Sequence, residues 1–341
     1  MPLSGPNAGL GKAILDAAQL ALFETGGRRM TLIPRDTGGT PDGAAAAARS
    51  AIADGAQLIL GPLLAAEVAA VKPIARDAHI NVIAFSTVTS LAGGGTFLMG
   101  FLPRQEVVRE VDYAHQRGLD RFAALVPDSP YGHLMADALK EAVAAAGGTV
   151  AKIASYGPTA ADSAAAIKTL GGGGAGAAAS PPAFEALLLP EGGARLDQIA
   201  GQLQAAGLDR PQVRLLGSGL WDVPGIGKDP ALVGGWFAAS PPDQRRVFAS
   251  RFQATYGHEP PRLASLGFDA AALAAVLARQ DGSRPFSREA IMNPSGFTGV
   301  DGLFRFRPDG LVQRGLAVLE VEPQGNVVIS PAPQSFEELG Y

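Results

Sequence analysis

The chain has 341 residues, 47% of them hydrophobic and 18% charged, with a formal net charge of −4. That describes a folded chain with enough length for two separate cores, and excludes a disordered one. Cysteine is absent, so disulfides and thiolate metal sites are excluded; no long basic run suggests nucleic acid, and no stretch of about 18 uncharged apolar residues suggests a membrane span.

Taken from the start, Met-Pro-Leu reads as the end of a strand whose earlier residues are not in the sequence, and no signal peptide is legible. The following stretch, SGPNAGLGKAI, has the glycines and lysine of a phosphate loop without their spacing. A P-loop needs a glycine where Pro6 stands and a hydroxyl where Ala13 stands; a dinucleotide fingerprint needs a glycine at Ile14. No nucleotide phosphate is expected, and the glycines read as a turn leading into a helix over 12–25.

MTLIP (30–34) then reads as a buried strand. Thr40 and Pro41 open the next helix as N-cap and first residue, and Asp54-Gly55 closes it. QLILG (57–61) reads as strand, 64–78 as helix and INVIAF (80–85) as strand. Further strands are expected at FAALVP (122–127), AFEALLLP (183–190) and QVRLLG (212–217), with helical runs near 132–146 and 193–206. The low-complexity stretch GGGGAGAAASPP (171–182) reads as a surface loop within one lobe. After VGGWFAAS (233–240) the order changes: two helical runs follow in succession, 243–256 and 263–280. The tail from 301 is hairpin-like, with GLFRF, the turn Pro308-Asp309-Gly310, AVLEVE and NVVIS. No internal repeat is legible. Strands separated by helices imply parallel, doubly wound α/β sheets.

Catalytic chemistry is not legible. His79, His115, His133 and His258 are scattered without metal spacing, and Gly-Ser-Gly at 217–219 lacks the spacers of a nucleophile elbow. Asp36, Asp128 and Asp269 lie near strand ends or helix starts, where capping is their simplest role. No catalysis, cofactor or metal is expected. Helix N-termini that follow strands are present instead, at GPLLAAEV (61–68), FSTVTS (85–90) and PDSPYG (127–132). Ligands of open α/β sheets bind at such ends, where free N–H groups attract anions such as carboxylates. Ser86, Thr87 and Thr89 add hydroxyls.

PLSGPNAGLGKAILDAAQLAL, GAQLILGPLLAAEV, INVIAFSTVTS, ALVPDSPYG and the tail GFTGVDGLFRFRPDG come in an order and spacing that resemble the type I periplasmic binding proteins, those for leucine, isoleucine and valine above all. The resemblance covers nearly the whole chain. It implies two Rossmann-like lobes joined by a three-crossing hinge, with lobe 1 over 1–117 and 239–311 and lobe 2 over 118–238 and 312–341. It also implies ligand between the lobes and no catalysis.

Carried over position by position, the amino-acid clamp is partly kept. Leu10 stands where those binders have an aromatic residue, and Ala65, after Leu64, stands for their serine, which leaves a backbone N–H. Ser86 and Thr87 match the loop that holds the ligand carboxylate, and Tyr131 matches the aromatic residue of the second lobe. A second tyrosine is due near 190–195, where there is none, and the acidic partner of the ligand ammonium falls on Ser218 or Gly219; Asp222 or Glu191 are the substitutes. Free leucine is therefore expected to bind poorly, and a neutral-tailed or aromatic carboxylate better, stacking on Tyr131 or Trp221.

The implied function is a solute receptor of the periplasm, closing on a small carboxylate-bearing ligand for the permease of an ABC importer. LGSGLWDVPGIGKDPALVGGWFAAS and the opening stretch also resemble the corresponding domain of penicillin-binding-protein activators, lipid-anchored modules that contact a cell-wall synthase. In that alternative Leu10, Leu64 and Trp221 are candidates to plug the cleft.

Overall fold

The computed structural model of the protein describes residues 1–25, 30–171, 182–209, 211–279 and 284–337. The low-complexity stretch expected as a loop lies almost wholly outside them. Two compact units form: unit 1 takes Met1–Leu102, Pro241–Gly315 and 333–337, and unit 2 takes Pro103–Ser240 and Leu316–Ala332. The boundaries expected from sequence shift accordingly. Residues 103–117 and 239–240, expected in lobe 1, and 312–315 and 333–337, expected in lobe 2, change sides. The chain passes between units after Leu102, Ser240, Gly315 and Ala332, one passage more than the three expected.

In unit 1, α1 (Ala8–Thr25) follows the Met1–Leu3 stretch, and α2 (Pro41–Ala53) starts on Thr40, whose side chain accepts from Gly43 N. Then come β1 (Leu58–Leu60), α3 (Ala65–Asp77), β2 (Asn81–Ala84) and β3 (Thr96–Leu98), which make a parallel sheet in the order β1-β2-β3. Among the described residues MTLIP, expected as a strand, joins no ladder, and β1 pairs with β2 alone, with a cavity beside it.

Unit 2 opens with α4 (Pro103–Gln116), then β4 (Arg121–Pro127), α5 (Pro130–Ala146), β5 (Thr149–Tyr156), α6 (Ala160–Gly171), β6 (Ala186–Leu188), α7 (Gly193–Ala205), β7 (Arg214–Leu216) and β8 (Trp236–Ala239). Strand alternation fills both faces of this sheet. Ala123 and Leu125 of β4 point to the core under α6 and α7, with Ile167, Ile199 and Leu203; Phe122, Ala124 and Val126 point to the core under α4 and α5, with Val111, Met135 and Leu139. Ser129 caps α5 by accepting from Gly132 N, Pro130 takes the first position, and Gly147 ends the helix at φ 80°.

Back in unit 1 follow α8 (Pro242–Tyr256), α9 (Ala264–Leu277), the short α10 (Arg288–Ile291), and an antiparallel sheet of β9 (Phe297–Gly299), β10 (Gly302–Phe306) and β11 (Val312–Arg314). The expected tail hairpin is two hairpins. β10 turns through Pro308-Asp309-Gly310 into β11, while β12 (Ala317–Glu320) and β13 (Val327–Ser330) add antiparallel strands to unit 2, for the order β13-β12-β8-β7-β6-β4-β5.

Candidate functional site

In unit 1 the candidate residues gather at the C-terminal edge of β1 and β2. Past the strand ends the ladder continues: Gly61 N donates to Ile83 O at 2.8 Å and Phe85 N to Pro62 O at 3.0 Å. The segments carrying Leu64 and Ala65, and Ser86 and Thr87, therefore leave the sheet side by side. Glu67, three residues into α3 and buried, accepts from Leu64 N at 3.2 Å and fills one helix-end donor. Ser86 is buried and its Oγ accepts from Val88 N at 3.1 Å, so its first partner is its own loop and not open solvent. Thr87 and Thr89 are exposed, and Leu10 and Leu64 pack half-buried on the rim of the unit 1 core.

Asp36 takes the bland role expected of it. Its Oδ1 accepts from Leu3 N (2.8 Å), Ser4 N (3.1 Å) and Gly38 N (2.8 Å), which shapes the turn ahead of α1. The Ser4 hydroxyl first, then these N–H groups, hold its carboxyl down to about 2.

Unit 2 brings more chemistry together. Tyr131 stands in the first turn of α5 after β4, Tyr156 ends β5, Glu191 follows β6 and Ser218 follows β7. These are the carboxyl ends of four adjacent parallel strands. The connections run outward from β4 to β5 and back across it to β6, and such a switch point is where ligands bind. Tyr131 Oη donates to Ser218 Oγ at 3.3 Å, and Tyr156 Oη donates to Glu191 Oε2 at 2.7 Å. Glu191 Oε1 accepts from Gly192 N at 3.1 Å, and Glu106 Oε2 accepts from Gly219 N at 2.8 Å. The Arg195 guanidinium lies 5.3 Å from the centre of the Tyr156 ring.

The surroundings are negative. Burial, offset in part by the Ser218 hydrogen bond and reinforced by Glu106, Glu110 and Glu191, pushes the Tyr131 phenol up to about 12. Burial and the Glu191 hydrogen bond push the Tyr156 phenol up as well. Glu110 is fully buried, accepts from Ala238 N at 2.8 Å, and is pushed well above the usual carboxylate range by its burial.

Two expectations change here. Trp221, expected against a ligand, has no exposed surface: it packs in the unit 2 core beside Phe237, and its Nε1 donates to Glu191 O at 3.2 Å. Ser218 is also fully buried and caps the turn at Gly219–Trp221, so it backs Tyr131 and is not itself open. Sequence reasoning missed two residues, Tyr156 and Glu106. Tyr156 stands at the end of β5 and Glu106 in the first turn of α4. Among the described residues no His, Cys, Asp or Glu trio is gathered as for a metal ion.

A family model described as periplasmic binding protein matches residues 1–326. The chain belongs to that family. It is a type I periplasmic binding protein, from a family of extracytoplasmic solute-binding proteins. Its fold is similar to that of a branched-chain amino acid ABC transporter protein from Rhodospirillum rubrum, at 21% identity over 96% of this chain and 97% of that one, with a TM-score of 0.82. It is similar to an ABC transporter substrate-binding protein from Sphaerobacter thermophilus, at 24% identity over 98% and 96%, with a TM-score of 0.75. A solute-binding protein from R. palustris in complex with benzoate matches at 21% identity over 97% and 95%, with a TM-score of 0.65. At such identities the likeness is one of fold. A search of curated protein sequences returns no match. Among the described residues no helix is long and apolar enough to cross a membrane.

Proposed function

We propose that this periplasmic binding protein is the receptor of an ABC importer and that its ligand is a free α-amino acid. The ammonium is taken by Glu191 and Glu106 in unit 2, with Tyr131 and Tyr156 around the side chain. The observation that carries this reading is the Tyr156–Glu191 pair beside Tyr131. Each Glu191 oxygen holds one donor, the Tyr156 hydroxyl or Gly192 N–H, and a carboxylate accepts about four, so room is left for an ammonium. The expectation of poor amino-acid binding rested on the lack of an acidic residue at 218–219, with Asp222 or Glu191 as substitutes; the hydrogen bonds of Glu191 and Glu106 support the opposite reading. The R. rubrum neighbour is described as a branched-chain amino acid transporter and the R. palustris neighbour holds benzoate; both ligand types carry a carboxylate. Trp221, a stacking candidate in a receptor and a plug candidate in a synthase-activating module, is a core residue and favours neither reading.

A thermal-shift panel of amino acids and aromatic acids at neutral pH tests the reading. At a ligand concentration a hundredfold above Kd the stabilisation is about 2.7 kcal/mol, which moves the melting temperature by a few degrees in a chain of this size. Shifts are expected from amino acids, and Glu191→Gln should abolish most of them. A panel in which only aromatic acids shift the protein would refute the ammonium site, and a panel with no shift would refute the receptor.

A further inference from the structure

Glu106 and Glu110 stand one turn apart on α4, a spacing that puts two side chains on one helix face with Cβ atoms about 5–6 Å apart. Each accepts one backbone N–H of unit 2. Glu106 Oε2 takes Gly219 N at 2.8 Å, and Glu110 Oε1 takes Ala238 N of β8 at 2.8 Å. Glu110 is the deeper of the two. It is 1% exposed, and among the described residues its Oε2 has no hydrogen-bond partner and no basic side chain pairs with it. A buried carboxylate without a cation is costly to ionise, and a like charge one turn away adds to the cost. Glu110 is therefore the carboxyl group of this site that keeps a proton, in line with the direction of its pKa.

The charged groups on the elements packed around Glu110 are engaged elsewhere. On α4 itself, Arg109 donates to Leu316 O at 2.9 Å and to Ser330 Oγ at 2.6 Å. Arg104 of α4 pairs with Glu141 of α5 at the exposed surface. From α5, Tyr131 is the titratable group turned to this side, and its phenol feels Glu106, Glu110 and Glu191 together. From β8 come the Ala238 backbone and Trp236, and from β12 comes Glu320, which accepts from Trp236 Nε1 at 2.7 Å and pairs with Arg214 at 3.4 Å. Negative charge thus gathers around Tyr131, and the cation that would balance it is not supplied by these elements.

We propose that the ligand ammonium and the Glu110 proton exchange for one another: as the ammonium settles at Glu106 and Glu191, the Glu110 O–H bond breaks, its electron pair stays on the carboxylate, and the proton passes to solvent. The proposal rests on the amino-acid reading above. The charge count favours it. Three carboxyl groups with one proton among them carry two negative charges, and three carboxylates with one ammonium also sum to two. An exchange that holds the net charge constant avoids placing a further charge in a poorly solvated site. Glu110 is buried, so it acts through Glu106 as a positioning residue and does not touch the ligand. Proton and ammonium weaken each other's binding by the same factor. Affinity for an amino acid therefore rises with pH through the range in which Glu110 gives up its proton.

The test uses the 341-residue chain and, as probes, the standard L-amino acids other than histidine and cysteine, whose side chains titrate near neutrality. The probe with the largest thermal shift is titrated calorimetrically at neutral pH in phosphate and in Tris. Tris takes up a proton with much more heat released than phosphate does, so binding should be more exothermic in Tris, by the heat of roughly 0.2–0.5 of a proton per ligand, and affinity should rise about threefold between about pH 6 and pH 8. In carbon-13-labelled protein the Glu110 carboxyl resonance should move from the acid to the carboxylate position as the probe saturates. Glu110→Gln, which keeps an acceptor for Ala238 N, should lose both the buffer difference and the pH dependence. Binding with equal heats in the two buffers and an unmoved Glu110 resonance would overturn the exchange and leave the amino-acid reading standing. Proton release that persists in Glu110→Gln would overturn it as well, by assigning the proton to another group. If no probe binds, the amino-acid reading itself falls and the exchange falls with it.

Discussion

Gly9 and Gly11 look alike in the opening stretch and do different work. A Cβ on Gly11 would overlap Pro2 O, while a Cβ on Gly9 meets nothing within 4 Å. Gly11→Ala should therefore cost about 1–3 kcal/mol by forcing α1 off the Met1–Leu3 stretch. Gly9→Ala, at an open helical position, should be neutral or stabilise by up to about 1 kcal/mol. Urea denaturation of the two variants checks this, and equal effects would contradict it. Glycines set at a helix–strand contact were legible as a motif but not as a purpose, because phosphate cradles and close packing use the same residue. At the site, Tyr156 holds Glu191 through one hydrogen bond of 2.7 Å. Tyr156→Phe should lower stability by about 1 kcal/mol, the worth of one net hydrogen bond, and weaken ligand binding severalfold by releasing Glu191. Calorimetric titration of the variant reads this, and unchanged affinity would remove Tyr156 from the site.

At the scale of elements, what was legible depended on burial. β4 and β6, buried on both faces, show as apolar runs. β5 does not: Thr-Val-Ala-Lys-Ile-Ala-Ser-Tyr is an edge strand, half exposed and interrupted by a lysine. Missing β5 meant missing Tyr156, and missing the largely polar α4 meant missing Glu106. Tyr131 was singled out by the family resemblance of PDSPYG, where Ser129, Pro130 and Gly132 mark the start of α5. Trp221 was misplaced because a tryptophan beside a strand end reads equally as a ligand contact or as core. Its burial now sets an expectation: Trp221→Ala should cost about 3–5 kcal/mol, seen as a lower melting temperature. A drop of under about 1 kcal/mol would contradict the core position.

The turn between β9 and β10 carries a pH dependence. Asp269 of α9 accepts from Val300 N at 2.6 Å and Asp301 N at 3.3 Å, and Asp301 pairs with Arg262 at 2.9 Å. Burial first, then the Asp301 carboxylate, pushes Asp269 up to about 7 against the opposing pull of Arg314. The folded state thus holds its proton more tightly than the unfolded chain. The resulting stability is fully present below the ordinary Asp value of 3.8 and is lost as pH rises through about 7. Glu110, also raised by burial, acts in the same direction. Denaturation between pH 4 and 7 should show falling stability, with a flatter profile in Asp269→Asn. An unchanged slope in that variant would clear Asp269 of the effect.

For the molecule as a whole, the family and the two-unit α/β plan were legible, because the order of apolar runs and turns spans the chain. The ligand was least legible, because its proposed partners in unit 2, Glu106, Tyr131, Tyr156 and Glu191, come from four separate segments. The account turns on the ammonium. The most direct measurement is isothermal titration with the amino acid that gives the largest thermal shift, alongside its desamino analogue, which keeps the side chain and carboxylate. The amino acid should bind at least about tenfold more tightly, the worth of one charge-assisted contact near 1.4 kcal/mol; a desamino analogue that binds equally well or better would contradict it.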